Sequence, residues 1–160
     1  MTSKKLTVDQ EMRAAVAIVL VGLDRVRDAA CRTGEVGPHA AGLQALYDPA
    51  QPDAGLLAAV AEVIGTITAS VSDVDHDGIE RVTELLDEAQ AHVQDSTGGR
   101  IRHALDLLEP LLPVCEECMK RRSDVEAIPD PFSTALYPDE PDHRQIQLCP
   151  PCAIKRFEES

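Results

Sequence analysis

The sequence contains no tryptophan and few other aromatic residues, with two phenylalanines and two tyrosines among 160 residues. Sheet-rich cores favour aromatic and β-branched side chains, so this scarcity argues against a β-sandwich. Hydrophobic residues still make up 44% of the chain, and the core must therefore consist mostly of Leu, Val, Ile and Ala. The composition predicts a mainly α-helical protein.

Positive charge is also scarce, because 15 Lys and Arg residues face 28 Asp and Glu residues and leave a net charge of −13. A protein that wraps a nucleic-acid duplex needs a positive footprint for the phosphates. The net negative charge therefore argues against a duplex-wrapping protein. It is still compatible with a local basic patch.

Long apolar runs are absent as well. The longest one, AAVAIVLVGL at residues 14–23, is about half the roughly 20 residues that a helix needs to cross a bilayer. No basic segment with a following cleavage site opens the sequence. We therefore expect a soluble, cytoplasmic protein with no membrane partner.

The first 112 residues carry apolar residues at helical spacing. Thr7 and Gln10 fit a capping box that would begin the first helix. Residues 33–52 predict a connector with one short helix. The STGG sequence at 96–99 predicts a break between two helices. The four stripes are Met12, Val16, Val19, Leu23 and Val26; Leu57, Val60, Ile64, Ile67 and Val71; Ile79, Val82, Leu86, Ala89 and Val93; and Ile101, Leu105, Leu108 and Leu112. They predict an acidic up-and-down bundle over residues 1–112, which also offers a surface for homo-oligomerisation.

The composition changes at Pro113. Residues 113–160 hold four of the five cysteines, three of the four aromatic residues and seven of the eleven prolines. A segment of this size cannot build a sufficient hydrophobic core unaided and usually needs a disulfide or a metal. We therefore expect a second, small domain over residues 113–160.

The four cysteines of this segment form two Cys-x-x-Cys pairs, Cys115 with Cys118 and Cys149 with Cys152. A thioredoxin-like redox pair stands near the start of a βαβ unit, whereas only eight residues of this sequence follow Cys152. Two such pairs instead match the spacing of a closed, tetrahedral Zn²⁺ site with four thiolate ligands. The sequence therefore predicts zinc as the cofactor and these four cysteines as its ligands.

The segment between the pairs is predicted to form a β-hairpin. VEAIPDPF (125–132) leads outward, STALYPDEPD (133–142) turns, and HRQIQL (143–148) returns to Cys149 with strand-like alternation. The prolines after Cys149 are tolerated in the first turn of a helix. A knuckle, a hairpin and a ligand pair that opens a helix form a treble clef, and we expect Phe132, Tyr137 and Phe157 to pack within it.

The string VCEEC…AIPDPFSTALYPDE…IQLCPPCAIKRFEES resembles the small zinc-finger domains of actinobacteria and their phages. Those domains carry Cys-x-x-Cys, an Asp-Pro-Phe/Tyr turn, Leu-Cys-x-x-Cys and a short acidic helix with an arginine. The resemblance covers residues 113–160 and implies a bound zinc and a treble-clef fold. It implies no shared activity.

An acidic segment, DVDHDGIERVTE at residues 73–84, matches the calcium-loop pattern of an EF-hand, with ligands Asp73, Asp75, Asp77 and Glu84. Glu80 stands where an aliphatic residue is usual, and the chain has no second loop to pair with this one. We prefer a capped turn in which Asp77 is the N-cap and Glu80 completes a capping box. A weak divalent site is the alternative.

Six basic residues flank the predicted zinc site and are candidates for contacts with a phosphate backbone: Lys120, Arg121, Arg122, Arg144, Lys155 and Arg156. The same segment has ten acidic residues, which favours a mixed-charge, solvated surface. A catalytic set is not evident, because the five histidines are scattered, and Cys31 fits a small buried role.

These features predict a non-enzymatic, zinc-binding protein that acts as a protein-interaction or regulatory adaptor. The first alternative is a nucleic-acid-binding regulator that uses the basic residues of the zinc module. The second is an acidic inhibitor that imitates nucleic acid and occupies a DNA-binding protein.

Overall fold

The structure is a computed structural model that describes residues 6–139 and 142–160. It is mainly helical with one small sheet, as the composition predicts. The chain forms two compact units, residues 1–35 and residues 36–160.

The first unit contains one long helix, α1 (Val8–Ala30). Its start is the predicted capping box: the Thr7 hydroxyl accepts a hydrogen bond from the Gln10 N–H at 3.3 Å, and the Gln10 side chain accepts one from the Thr7 N–H at 3.0 Å. The apolar stripe is present, but none of the α1 residues is buried. The helix is thus confirmed, whereas the structure does not bury its stripe.

The second unit begins with a helical region. Its elements are α2 (Val36–Leu46), α3 (Leu56–Ser72), α4 (Ile79–Ala91), a π-helical turn (His92–Thr97), α5 (Gly98–Leu108) and a 3₁₀ turn (Glu109–Leu111). Helix α3 packs along α4, and α2 packs on α5. Ala40, Leu105 and Leu112 form a small buried cluster between α2 and the end of α5. The short helix in the connector and the three later apolar stripes are therefore confirmed as helices.

The predicted break at residues 96–99 is wrong, because the chain stays helical from α4 through the π-helical turn into α5. Gly98 is buried there, and a Cβ added to it would lie 2.5 Å from the Tyr47 ring. The glycine therefore lets an aromatic ring approach the helix backbone, and it does not end the helix.

The last 48 residues form the small α/β region expected from the cysteine pattern. Strand β1 (Glu126–Pro129) pairs antiparallel with β2 (Gln145–Leu148), with Ile128 opposite Ile146. A short helix that the sequence did not indicate, α6 (Pro131–Leu136), replaces the end of the predicted outgoing strand and the start of the predicted turn; residues 140 and 141 of that turn lie outside the described residues. Helix α7 (Pro150–Glu159) follows β2, as expected from the two prolines.

The helical region and the cysteine-rich region belong to the same compact unit. Arg121 donates a hydrogen bond to the Leu112 carbonyl at 2.8 Å, and the Ser123 hydroxyl donates one to the Gln44 side chain at 3.0 Å. The domain boundary predicted at residue 113 lies within this unit and stays a prediction. Among the residues described, no helix combines the length and the apolar character that a bilayer span requires.

Candidate metal centre

The two Cys-x-x-Cys pairs meet in the structure. The four Sγ atoms of Cys115, Cys118, Cys149 and Cys152 all lie within 4.8 Å of one another. Cys115 and Cys149 are almost completely buried, at 0% and 1% exposure, and the other two are half-buried. The cysteines that the sequence singled out therefore form one cluster that is close enough to hold a metal ion.

The first pair sits in a tight turn whose backbone bonds fix the direction of both side chains. The Cys115 N–H donates to the Lys120 carbonyl, and the Met119 N–H donates to the Cys115 carbonyl, each at 2.9 Å. Met119 has a φ of +57°, the left-handed conformation that a chain adopts when it reverses sharply. The turn brings Cys115 and Cys118 toward the same point.

The second pair stands at the junction of β2 and α7. Cys149 is the N-cap of α7, and its carbonyl accepts the Ala153 N–H at 2.9 Å. Pro150 and Pro151 occupy the first helical positions, where the missing N–H is no loss. Cys152 consequently lies one turn after Cys149 and on the same side of the helix start.

Backbone pairing joins the two halves of the cluster. The Glu116 N–H donates to the Gln147 carbonyl at 2.8 Å, and the Gln147 N–H donates to the Glu116 carboxylate at 2.9 Å. The Cys149 N–H points at the Cys115 sulfur at 3.5 Å. Val125, Ile146 and Leu148 form the buried floor beneath the sulfurs. The knuckle and the strand end are therefore held together by more than the thiols alone.

The spacing of the sulfurs suits coordination by one ion. Four thiolates at about 2.3 Å from one zinc lie about 3.8 Å from one another, and the Cys118 and Cys149 sulfurs are 4.0 Å apart. The five cysteines described are all free thiols. The donor set is all sulfur, which suits zinc and iron–sulfur chemistry and excludes oxygen-preferring calcium and magnesium.

The thiols differ in acidity. Burial raises the pKa of Cys115, but hydrogen bonds from the backbone of Cys118, Cys149 and Glu117 outweigh it and lower the pKa to about 6. The hydrogen bond with Cys149, together with burial and the neighbouring thiols, raises the pKa of Cys152 to about 12. Four sulfurs this close cannot all carry negative charge by themselves, and a divalent cation would remove that repulsion.

Four of the six basic candidates form ion pairs within the chain. Arg122 makes two 2.7 Å bonds to Asp124, which raises the pKa of that guanidinium. Arg156 contacts Asp130 at 3.1 Å. Two weaker contacts complete the set, Arg144 with Glu116 at 3.5 Å and Lys155 with Glu117 at 3.5 Å. Arg122 and Arg156 are thus engaged in close pairs, whereas the contacts of the more exposed Arg144 and Lys155 are long and weak.

The two remaining basic candidates, Arg121 and Lys120, differ in their contacts. Arg121 uses one guanidinium N–H on the Leu112 carbonyl, so it links the knuckle to the end of the helical region. Lys120 is exposed and makes no ion pair with any residue that the structure describes. The predicted basic set is thus present around the cysteine cluster but is not a free row of positive charge.

Asp130 is a structural residue that the sequence analysis missed. Its carboxylate is buried, caps α6 by accepting the Phe132 N–H at 3.3 Å, and pairs with Arg156. The Arg156 hydrogen bonds outweigh burial and hold the pKa of Asp130 below its usual range. An Asp before Pro at a helix start is a recognisable N-cap signal, so the Asp-Pro-Phe sequence could have revealed this role.

The aromatic residues of this region are not core residues, contrary to the prediction. Phe132, Tyr137 and Phe157 are 36%, 56% and 60% exposed. The buried cluster of this region consists instead of Cys115, Cys149 and three aliphatic residues, Val125, Ile146 and Leu148. Phe132 instead lies under the Arg156 guanidinium, 5.0 Å from ring centre to the guanidinium carbon.

The acidic segment after α3 does not form the predicted capped turn. The N-cap of α4 is Gly78, at a φ of +96°, and no side chain caps it; Asp77 is therefore not the N-cap. Glu84 pairs with Arg81 at 2.9 Å. Within the described residues, the cysteine cluster is the one group of potential ligands that converges. The alternative of calcium at Asp73, Asp75, Asp77 and Glu84 stays a hypothesis.

Three other features outside the cluster bear on catalysis. Cys31 is exposed at the end of α1, so its predicted buried role is wrong. The Ser133 hydroxyl lies 3.4 Å from Nδ1 of His143, beyond the usual range for such a bond. An open cleft of about 610 Å³ lies between α2, α5 and the chain after the knuckle, and it is lined by Gln44, Asp48, Glu109 and Arg122 among others.

Comparison with protein-family models, with curated proteins and with solved structures finds no match for this chain.

Proposed function

We propose that Cys115, Cys118, Cys149 and Cys152 bind one structural Zn²⁺ ion, and that the protein is a non-enzymatic adaptor that binds another protein. The observation that carries the metal proposal is the convergence of four sulfurs within 4.8 Å around two buried cysteines. A site with four protein ligands has no open position for water or substrate. Its contribution is to fold the surrounding module.

The proposed zinc module is of the treble-clef type. Its elements are the Cys115 knuckle, the β1–β2 hairpin and α7, which begins between the last two ligands. The order of these elements supports the resemblance to small zinc-finger domains that the sequence carries. In this module the metal stands where a larger domain would place its hydrophobic core.

The surface of the module supports a protein partner. Helices α6 and α7 pack against each other, and they expose large apolar side chains at 36% to 71%: Phe132, Leu136, Ile154 and Phe157. Aromatic and aliphatic residues on a rigid support are typical of protein-binding surfaces. The neighbouring cations are engaged in ion pairs, which weakens the nucleic-acid alternative, because phosphate binding would first have to break those pairs.

Metal identity is tested by native mass spectrometry and elemental analysis of freshly purified, reduced protein. We expect one zinc per chain and, after exchange with Co²⁺, the absorption of a tetrahedral tetrathiolate site. The Cys31→Ser variant is the matched control, because it removes a thiol outside the cluster and should keep full zinc occupancy. Protein without bound metal, or with iron and sulfide, would overturn the zinc proposal.

The adaptor role is tested separately by affinity capture from native lysate with the zinc-loaded protein. We expect specific partners that are lost with the double variant Phe157→Ser and Leu136→Ser, which leaves the metal ligands untouched. The same preparation should show no gel shift with random duplex or single-stranded DNA or RNA at about 150 mM salt. Tight nucleic-acid binding under these conditions would replace the adaptor role by the regulator alternative.

A further inference from the structure

Three charged side chains beside the cysteine cluster join the elements that carry the two ligand pairs. We call Glu117, Asp130 and Arg156 the clasp. Glu117 lies between the two cysteines of the first pair, and Asp130 is the N-cap of α6 within the hairpin. Arg156 lies four residues after Cys152 on α7, so these two side chains share one face of that helix. The clasp therefore takes one residue from the knuckle, one from the hairpin and one from the helix of the second pair.

Arg156 is the centre of the clasp, because all three of its guanidinium nitrogens donate to the two carboxylates. Its Nε lies 3.1 Å from Oδ1 of Asp130 and its Nη2 lies 3.4 Å from Oδ2, so these two groups meet at two points. Nη1 donates to Oε2 of Glu117 at 3.4 Å. One planar cation thus contacts both carboxylates at the same time, which depends on the rigid fork of arginine.

The clasp is more shielded from water than the parallel contact made by Lys155. The side chains of Arg156, Glu117 and Asp130 are 27%, 33% and 11% exposed. Lys155 also approaches Glu117, at 3.5 Å, but its side chain is 59% exposed and it divides its charge with Glu159. Exposed ion pairs contribute little because water and salt screen them. The contacts of Arg156 are therefore the ones expected to hold α7 in place.

The position of the clasp bears directly on how a metal ion would leave the cluster. An ion held by four sulfurs is released only when its ligands move apart. Here that movement takes α7, together with Cys152, away from the turn that holds the first pair. The Glu117–Arg156 contact opposes this separation, and the Asp130–Arg156 contact fixes α7 to the hairpin. Residues that hold metal ligands in position typically change metal affinity by about 10- to 100-fold when they are replaced.

We propose, building on the zinc site proposed above, that Arg156 is a positioning residue for that site. Through Glu117 and Asp130 it holds the second ligand pair against the first and slows the release of the ion. Arg156 thereby has a role inside the module, although the sequence placed it among the candidates for phosphate contact.

The test is the rate at which zinc passes from the full-length protein to an excess of a chromophoric chelator. Arg156→Gln should release zinc about tenfold faster than wild type. Arg156→Lys keeps the charge but cannot bridge two carboxylates, so it should release zinc nearly as fast as Arg156→Gln. Lys155→Gln is the matched control, because it removes one positive charge at the neighbouring position and should change the rate by less than about twofold.

Two further measurements separate positioning from a general loss of stability. The absorption of the Co²⁺ form should be the same in wild type and Arg156→Gln, because all four sulfurs remain ligands. Glu117→Gln removes only the contact between the two pairs and should speed release about threefold. The double variant Glu117→Gln with Arg156→Gln should be no faster than Arg156→Gln alone, because both changes remove the same contact. If Arg156→Gln does not load zinc, Glu117→Gln decides the question in the same assay.

Three outcomes would overturn the role of the clasp: a wild-type release rate in Arg156→Gln and Glu117→Gln, full rescue by Arg156→Lys, or additive effects of Glu117→Gln and Arg156→Gln. Wild-type protein that carries no zinc would overturn the zinc site itself and the clasp's role with it. Failure of the site and failure of the clasp are thus distinguished by the metal content of the wild type.

Discussion

Helix α1 and the cysteine-rich region use apolar residues in opposite ways. α1 contains an uninterrupted apolar run at residues 14–23 and buries none of its side chains. The region from Pro113 onward has fewer aliphatic residues, yet Val125, Ile146 and Leu148 are almost completely buried around the sulfurs. Apolar content alone therefore does not decide burial; a side chain is buried only where other elements converge on it.

The two regions also differ in the interactions that order them. The hydrogen bonds that define α1 are local, within its own backbone and its capping box. The small hairpin has too little apolar area to order itself, and the four sulfurs supply the common point around which β2, α7 and the knuckle meet. Variants that disturb one region should therefore leave the other unchanged.

The largest effect is expected from loss of one sulfur ligand. Cys149→Ser should remove the proposed zinc and so unfold residues 113–160, because the apparent free energy of structural zinc binding is about 10–16 kcal/mol, comparable to or above the total stability of a domain. α1 should keep its helix. The measurement is an amide NMR spectrum of the variant, with Cys31→Ser as the control; native chemical shifts throughout the module of the zinc-free variant would contradict this expectation.

A second pair of variants compares the same side chain in the two regions. Ile146→Ala should destabilise the cysteine-rich region by about 2–5 kcal/mol, because it leaves a cavity at a site that is 3% exposed. Ile18→Ala in α1, at 73% exposure, should change stability by less than about 0.5 kcal/mol. Denaturant unfolding of both variants measures the two losses of unfolding free energy. Similar losses for the two variants would show that Ile18 of α1 is buried in solution.

A smaller and pH-dependent effect is expected at Asp130. Its pKa is lowered by Arg156, so its contribution to stability is present above the ordinary carboxyl value near pH 4 and is lost as the pH falls through the lower folded value. Asp130→Asn should therefore lower the melting temperature at pH 7, and the difference from wild type should shrink below about pH 4.

The control for this variant is Asp139→Asn, which replaces an exposed aspartate of the same region and should leave the melting curve unchanged. A difference between wild type and Asp130→Asn that stays constant down to pH 3 would show that the carboxylate charge is not the cause.

The smallest effect concerns helix caps. Thr7→Ala should reduce the helicity of α1 with a cost of about 1 kcal/mol, because the Thr7 hydroxyl caps the helix. Asp77→Ala should have almost no effect, because no side chain caps α4. Circular dichroism and thermal melting of the two variants test this. A larger loss of helicity for Asp77→Ala than for Thr7→Ala would support the capped turn that the sequence predicted.

The positions of the helices followed from local patterns. The steps of three and four in the apolar residues placed α1, α3, α4 and α5, and the Thr7–Gln10 pair placed one helix start. The helix break predicted from the STGG segment was wrong, because a glycine can either end a helix or allow a neighbouring side chain to approach the helix backbone. Only the position of Tyr47 in the fold shows which role Gly98 has.

The cysteine spacing determined the candidate site by itself, since two residues between ligands bring both sulfurs of a pair to one side of a turn. The sequence also indicated the hairpin between the pairs and the helix that begins at Pro150, but not α6 within the hairpin. Only the tertiary structure decided the partners of the charged residues and the exposure of the apolar ones. Arg156 meets Asp130 across 26 positions of sequence, and Phe132 and Phe157 remain exposed, outside the buried cluster of sulfurs and aliphatic residues. Such outcomes depend on which elements converge in space, and a local pattern carries no information about that.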